Sequence, residues 1–399
     1  MQVREPQTIT GYKFGARSSA VALPKVSVIM LNFNGISWLP GLITESIASV
    51  LRSDYPNLEL VLVDNNSSDD SVSVLRELAA NEGSRVKLVE LDTNKGYAGG
   101  NNAGARNVSV EAEYLFFLNN DVVLGSSDSV SRLVEVLQSH PPVAAVQPLT
   151  LRVEPGSPYD GEPDTIGFLT TFGDTVSLDK SGSAPLIPIC FPHGAAFMIR
   201  RNVFESLGGF NESFGSYFED SDLGWRLLLM DYVVLCATTL PVYHHRSSTW
   251  RKFRRENVFR DLNQRYLISR NEFSAMFCNY QRANLVRYLL PKIGLSLVSL
   301  LGASMLLALG KRRSKIFSLL AYPMAVLALV WDFPTHYRDR RKVQKKRTVS
   351  DSKLFGTLLL SQWPRLPLTA FRVLKELGLA SKVTFTQGYK LRRIQCRFE

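Results

Sequence analysis

The stretch LELVLVDNNSSDDSVSVLRELAANEGSRVKLVELD, residues 58–92, decides the fold. It opens with an apolar run, LELVLVDN (58–65), closed by Asn, Ser and Asp turn residues, the length and composition of a buried strand. Val72, Leu75, Leu78 and Ala79 then recur at helical spacing. VKLVELD (86–92) is a second apolar run. Strand, helix and strand at this spacing make a βαβ unit, whose two strands lie parallel. Working outward, VSVIMLNF (26–33) is a strand followed by a helix over about 38–52. On the other side, GYAGGNNAGARN (96–107) opens a helix and EYLFFLNND (113–121) is a fourth strand. The alternation predicts an α/β, doubly wound parallel sheet over the first 150 residues, with ligands beyond the carboxyl ends of its strands.

Further along, 152–190 is rich in Pro, Gly and Asp and reads as a long ordered loop or partial strands over the site. Sheet and helix resume at FPHGAAFMIRR and run to about 246, and 251–290 is helical and basic. Two apolar stretches follow, IGLSLVSLLGASMLLALG (293–310) and IFSLLAYPMAVLALVWDF (316–333), separated by KRRSK and followed by RDRRKVQKKR. Each is at the lower limit for crossing a bilayer. A two-helix hairpin in the membrane, an in-plane amphipathic pair and a soluble hairpin packed on the rest of the chain all fit, and 354–374 could add a third interfacial helix. The expected organisation is an arm (1–24), an α/β domain (25–275) and a helical, membrane-associated region (276–399).

The chain of 399 residues has an ordinary hydrophobic share, 45%, but a net charge of +11, which favours anionic partners. Its four cysteines lack pair or metal spacing, and its first twenty residues lack an apolar core, so a cytoplasmic setting with reduced thiols is expected.

Four sites carry chemistry. Asp64 ends a strand, where a carboxylate can accept from a nucleoside or simply cap a turn. NKGYAGGNNAG (94–104) places glycines at a strand-to-helix junction, a phosphate cradle or a plain turn. Asp121, in LNNDV, suits a divalent cation on a diphosphate, and His244 or His245 could be a metal ligand or phosphate donor. In YFEDSDLGWR, Glu219, Asp220 and Asp222 crowd together; a fold keeps mutually repelling carboxylates where it needs a base, a cation site, or both.

Taken together and in order, NFNG, VDNNSSDDS, NKGYAGGNNAG, LNNDV, HGAAFMIRR, GGFNESF, YFEDSDLGWR and YHHRSST resemble the inverting family 2 glycosyltransferases of the GT-A fold, and most of all their rhamnosyltransferase-like members. YLISRN (266–271) and RRKVQKKRTVSD (340–351) resemble the tail of that subgroup. The resemblance implies a Rossmann-like mixed sheet with a C-terminal helical, membrane-associated region. It implies that Asn32, Asn34 and Asp64 hold the nucleoside, and that Asn94, Gly96, Gly100 and Asn101 line the diphosphate side. The cation, Mn²⁺ or Mg²⁺, falls to Asn120 and Asp121, with His244 as a further ligand; the family's first acidic position is Asn119 here. Asp220 falls on the catalytic base. Glu219 and Asp222 would tune it or meet acceptor hydroxyls, Trp225 would support the sugar, and His193 and Gly194 would lie near the donor sugar. The basic run 251–270 would close over the diphosphate or face lipid. Donors would be deoxythymidine-diphosphate rhamnose first, then uridine-diphosphate sugars. Acceptors would be lipid-linked or cell-surface glycans at the cytoplasmic face of a membrane, with homo-oligomerisation left open.

Two rivals use the same sheet. A nucleotidyltransferase would carry a Gly-rich loop with Arg and Lys after the first strand, which NFNGISW lacks. A non-catalytic nucleotide-sugar-binding membrane protein would have no need of Asp121, Asp220 and His244 together. Nucleic-acid binding is suggested by charge alone, and the basic residues gather beside apolar helices, as for lipid headgroups.

Overall fold

The four apolar runs form strands β1 (Lys25–Asn32), β2 (Leu58–Asp64), β3 (Val86–Glu90) and β4 (Ala112–Leu118). Helices α1 (Leu42–Leu51), α2 (Ser71–Glu82) and α3 (Gly96–Arg106) connect them. All four strands are parallel, in the order β3-β2-β1-β4, and Asn32 sits level with Asp64 at their carboxyl ends. β1, β2 and β4 are buried along most of their lengths, as a sheet covered by helices on both faces requires. This computed structural model describes residues 23–153, 162–163, 166–177, 184–245, 258–310 and 313–357.

Beyond β4 the sheet is no longer purely parallel. The chain continues through β5 (Val122–Leu124), α4 (Ser129–Ser139), β6 (Val143–Arg152), β7 (Glu162–Pro163), a small hairpin of β8 (Gly167–Leu169) and β9 (Thr175–Ser177), and β10 (Leu186–Ile189). After β11 (Ala196–Arg200) come α5 (Arg201–Leu207), α6 (Glu219–Leu229) and β12 (Val233–His244). The full order is β3-β2-β1-β4-β11-β6-β12-β10. β11 slots antiparallel between β4 and β6, and β6 pairs parallel with β12. The continuous parallel sheet expected over the first 150 residues therefore stops at β4; β6 finds its partners much later in the chain. The mixed sheet is the one the GT-A resemblance implies.

The partial strands expected over 152–190 are β7 to β10. Cys190, Cys236 and Cys278 are free and buried, and burial pushes the Cys190 thiol up to about 12, which makes these thiols inert packing groups.

α7 (Val258–Asn279) packs against α6 and leads to α8 (Leu290–Ala308) and α9 (Arg313–Trp331), which form a hairpin. The chain then bends by 76° into the basic α10 (Phe333–Lys346). The segment after α10 docks back on the α/β domain: Thr348 N donates to Leu229 O at 2.9 Å, and Arg347 pairs with the buried Asp351 at 2.7 Å. The expected N-terminal arm lies almost wholly outside the described residues, as do 251–257 of the basic run and 358–374 of the third apolar stretch.

Candidate active site

At the ends of β1 and β2, Asn32 Nδ2 donates to Asp64 Oδ1 at 3.0 Å, and the Asp64 carboxylate also accepts from Ser67 N (2.8 Å) and Ser67 Oγ (2.6 Å). Asn34, in the left-handed region at φ 51°, donates its N–H to Ser67 Oγ and accepts from Ser68 N at 2.7 Å. Asn120 Nδ2 donates to Asn32 Oδ1 at 3.0 Å. The structure thus brings Asn32, Asn34, Asp64 and Asn120 into one hydrogen-bonded cradle. Asp64 is both the turn residue and a member of the site.

The glycine-rich loop begins the α3 helix. Asn65 ties it to β2: its Nδ2 donates to Asn94 Oδ1 (3.0 Å) and its Oδ1 accepts from Lys95 N (2.9 Å). Gly96 has φ 67°, and a Cβ there would come within 2.6 Å of Gly215 O, so both backbone geometry and a close neighbour demand glycine. Gly100 and Asn101 are buried in α3. A Cβ on Gly100 would meet Leu31 Cδ1 at 2.4 Å, and buried Asn101 donates to Tyr97 O in its own helix. Gly100 allows the close packing of α3 on β1, and Asn101 satisfies its amide within the helix.

Beside this cradle, Asp121 Oδ1 lies 3.5 Å from His244 Nε2, and both residues are nearly buried. The pairing is built by the sheet: β5 runs antiparallel to β12 with His244 level with Val122, and His245 N donates to Asp121 O at 2.9 Å. The His193 ring packs edge-on to His244 with centroids 5.7 Å apart. His245 is held below its ordinary pKa, chiefly by burial, and stays neutral near pH 7. Among the described residues no group of three His, Cys, Asp or Glu is arranged to hold a metal alone. Asp121 and His244 fit a cation that takes two protein ligands and completes its shell from diphosphate oxygens and water.

His193 and Gly194 join this pair to the carboxylates. Gly194 N donates to Asp220 Oδ2 at 2.9 Å, and Tyr97 Oη donates to Gly194 O at 2.5 Å. Asp220 Oδ1 accepts from Ser221 N at 2.6 Å. The carboxylate therefore sits in the first turn of α6, where the helix dipole favours its charge. Its neighbour Glu219 is buried, with Oε2 lacking a hydrogen-bond partner. Burial, then the Asp220 charge, holds the Glu219 carboxyl well above the ordinary range, which favours its protonated form. Tyr97 is raised as well, by burial and then by Glu219 and Asp220.

Two expectations about α6 change. Asp222 is buried and committed elsewhere: Arg226 Nε donates to Oδ2 at 2.7 Å and Asn279 Nδ2 to Oδ1 at 3.1 Å. The i,i+4 spacing sets that ion pair on a different face of the helix from Asp220, beside a cavity of about 490 Å³ that Asp222 and Arg226 line. Trp225 is fully buried, its ring 4.8 Å from that of Tyr280, and packs in the core instead of under a sugar.

What holds Asp220 in place is scarcely legible in the sequence. Tyr217 and Phe218, just before α6, both have φ 72°, a strained conformation for aromatic residues. Fully buried Asn271 of α7 clamps this loop, its Nδ2 donating to the carbonyls of Phe214 (3.0 Å), Ser216 (3.1 Å) and Tyr217 (2.7 Å). Arg270 adds Ser213 O and Phe214 O. Its one signal was YLISRN, read only as a tail motif.

Residues 27–208 match the family model described as Glycosyl transferase family 2. The chain is 26% identical over 63% of its length to the low-salt glycan biosynthesis hexosyltransferase Agl10 of Haloferax volcanii, covering 78% of that protein. It is 25% identical over 58% of its length to the O-antigen chain rhamnosyltransferase RfbN of Salmonella typhimurium, covering 70% of it. Of three further relatives the chain spans 60%, 18% and 44%. Among solved structures, a mannosyltransferase from Pyrobaculum calidifontis, in complex with GDP-Man and Mn²⁺, superposes with a TM-score of 0.47 at 20% identity, covering 78% of this chain and 75% of that one.

Proposed function

From the match of residues 27–208 to the Glycosyl transferase family 2 model and the geometry around it, we propose an inverting glycosyltransferase that moves a hexosyl or deoxyhexosyl group from a nucleotide diphosphate to a hydroxyl of a lipid-linked or cell-surface glycan. The observation that carries this reading is the His193–Gly194 dipeptide, which touches His244 on one side and Asp220 on the other. That link between the Asp121–His244 pair and the Asp220 carboxylate supports reading them as parts of one site.

In this reading Asn32, Asn34 and Asp64 orient the nucleoside, and Asp121 with His244 hold Mn²⁺ or Mg²⁺. The cation, when bound, offsets the charge that builds on the departing diphosphate. Asp220 accepts the proton of the acceptor hydroxyl as its oxygen bonds to the anomeric carbon and the bond from that carbon to the diphosphate oxygen breaks. One displacement inverts the anomeric centre and needs no enzyme nucleophile. Gly194 N and Ser221 N fix the direction of the carboxylate, and protonated Glu219 spares Asp220 a second negative charge beside it. Deoxythymidine-diphosphate rhamnose is the favoured donor, supported by the named activity of the Salmonella relative; uridine-diphosphate sugars follow. The names of both relatives, for glycan biosynthesis and for an O-antigen chain, support a glycan acceptor; a membrane setting with the domain on the cytoplasmic side is part of the same proposal.

The test is a panel of nucleotide sugars with Mn²⁺ and membrane lipid extract, read as release of nucleoside diphosphate. Lipid-dependent release from one donor, abolished in Asp220→Asn with nucleotide binding retained, is the expected outcome. Substantial transfer by Asp220→Asn removes Asp220 from the base role.

A further inference from the structure

The first helix of the hairpin, α8, is inside out for a protein surrounded by water. The face of α8 turned to the protein carries Lys292, Ser296, Ser299, Gly302, Ala303 and Leu306, while Leu297, Leu301 and Leu307 point outward, Leu301 being 71% exposed. A water-facing helix shows the reverse pattern; small and polar residues inward with aliphatic residues outward is the pattern of a helix whose solvent is lipid. α9 extends the outer face with Leu327, Val330 and Trp331, the last 87% exposed. Among the described residues nothing covers these side chains.

The surface ends in a polar corner. After Trp331 the chain turns by 76° into α10, with the rings of Phe333 and Tyr337 stacked 5.9 Å apart. Exposed Arg338, Arg341, Lys342 and Lys345 follow. Aromatic residues next to basic ones mark the boundary between acyl chains and anionic headgroups.

The Arg282–Ala308 helical run is long and apolar enough to cross a bilayer by length and composition alone. Its anchoring argues against that. Fully buried Lys292 donates to Asp174 (3.0 Å), Glu272 (2.6 Å) and Phe172 O (2.8 Å), which pins the start of α8 to the α/β domain. α9 packs on α7, a helix that carries Gln264, Arg265, Arg270 and Glu272. Ser299 Oγ donates to Leu319 O and joins the two hairpin helices. Acyl chains cannot close around a hairpin that packs along one side on α7 and is pinned through Lys292 to the α/β domain.

We infer that the hairpin lies in the plane of one anionic leaflet, with its Leu301–Leu327 side in the acyl layer and α10 on the headgroups. The occupant of this face is a bilayer, argued from the apolar surface and the basic rim together. This rests on the membrane-associated reading above and specifies its geometry.

The experiment uses the full chain and preformed vesicles of phosphatidylcholine with or without phosphatidylglycerol. Flotation with the anionic vesicles is expected to exceed that with neutral ones by about tenfold. Leu301→Glu and Leu307→Glu, which alter exposed side chains, are each expected to lower flotation about tenfold with thermal unfolding unchanged. Depth is read from Leu301→Trp, near the middle of α8, using lipids brominated either near the headgroup or near the chain ends. Stronger quenching by the shallow bromines supports the in-plane hairpin. Stronger quenching by the deep bromines, with flotation intact, overturns the geometry and leaves membrane association standing. Absence of flotation overturns both, and if the wild type is then a dimer that Leu301→Glu dissociates, the face belongs to a second copy of the chain. Donor turnover in detergent, measured on the same samples, reports the proposed reaction separately from either result.

Discussion

Replacing Asn271 with alanine removes one amide from three backbone carbonyls of the loop that delivers Asp220. The two amide hydrogens share the oxygens of Phe214, Ser216 and Tyr217 at 3.0, 3.1 and 2.7 Å. Each buried acceptor left without a donor costs about 1–3 kcal/mol. The same loop holds Tyr217 and Phe218 at φ 72°, and each such residue stores on the order of 1–3 kcal/mol that the surroundings must over-determine. Without the clamp, the loop either keeps its shape and exposes the full cost to folding, or relaxes toward ordinary dihedrals and carries the first turn of α6 with it. Relaxation is the easier course, so stability should fall by only about 2 kcal/mol. A displacement of Asp220 by roughly 1 Å should lower kcat by about 100-fold. The glycine-rich loop leans on the same segment, Ala98 N donating to Gly215 O at 2.8 Å and Tyr97 N to Ser216 Oγ at 3.1 Å, so KM for the donor should rise along with the fall in kcat. Asn271→Asp, which keeps shape but cannot donate, should behave like alanine. The assay is steady-state turnover beside urea unfolding. An Asn271→Ala enzyme with lowered stability and wild-type kcat refutes the reasoning, since the clamp would then serve the fold alone.

Four further outcomes are expected. Asp121→Ala should weaken donor binding by about 10–100-fold and abolish its dependence on Mn²⁺, measured by titration calorimetry with and without the cation; an unchanged dependence would remove Asp121 from the metal. Lys292→Met should destabilise the chain by about 3–5 kcal/mol, because two buried acids lose their cation, and urea unfolding checks it. Glu219 has its folded pKa raised, so the stability it contributes is fully present below the unfolded carboxylate pKa and is lost as pH rises through its higher folded value. Glu219→Gln should flatten that part of the stability–pH curve, and a curve identical to wild type would mean that Glu219 is not held protonated. Trp225→Phe should cost stability by about 1–3 kcal/mol with donor and acceptor KM unchanged, as expected of a core residue and not a sugar platform.

The legible part of the molecule was the part written in local pattern. Apolar runs located β1 to β4, and the polar residues that ended them, Asn32, Asp64 and Asp121, were the ones placed at the sheet edge. His244 was found the same way, as the end of β12. Strand order was not legible: nothing in AFMIR announces that β11 inserts antiparallel between β4 and β6, because pairing depends on partners far along the chain. Side-chain commitments were hidden for the same reason. Asp222 and Trp225 looked like site residues because they stand beside Asp220 in sequence, but a helix turns neighbours to different faces. Asn65 and Asn271 looked like ordinary polar residues, and only their carbonyl and amide partners show that they hold the glycine loop and the base loop. The contact of Gly100 with Leu31 was not legible either, because it depends on how α3 packs on β1.

The placement of β12 bears on how this chain is made. β6 is complete by residue 152, yet one of its flanking strands does not exist until residue 244 has left the ribosome. Through that interval β6 presents a row of unpaired amides and carbonyls beside apolar side chains, a surface on which nascent chains can join one another. A fragment cut at residue 208, where the family match ends, would carry that open edge permanently and lack the helix bearing Asp220. Expression boundaries belong beyond His244, and a chaperone acting on this protein has most to do between the emergence of β6 and that of β12.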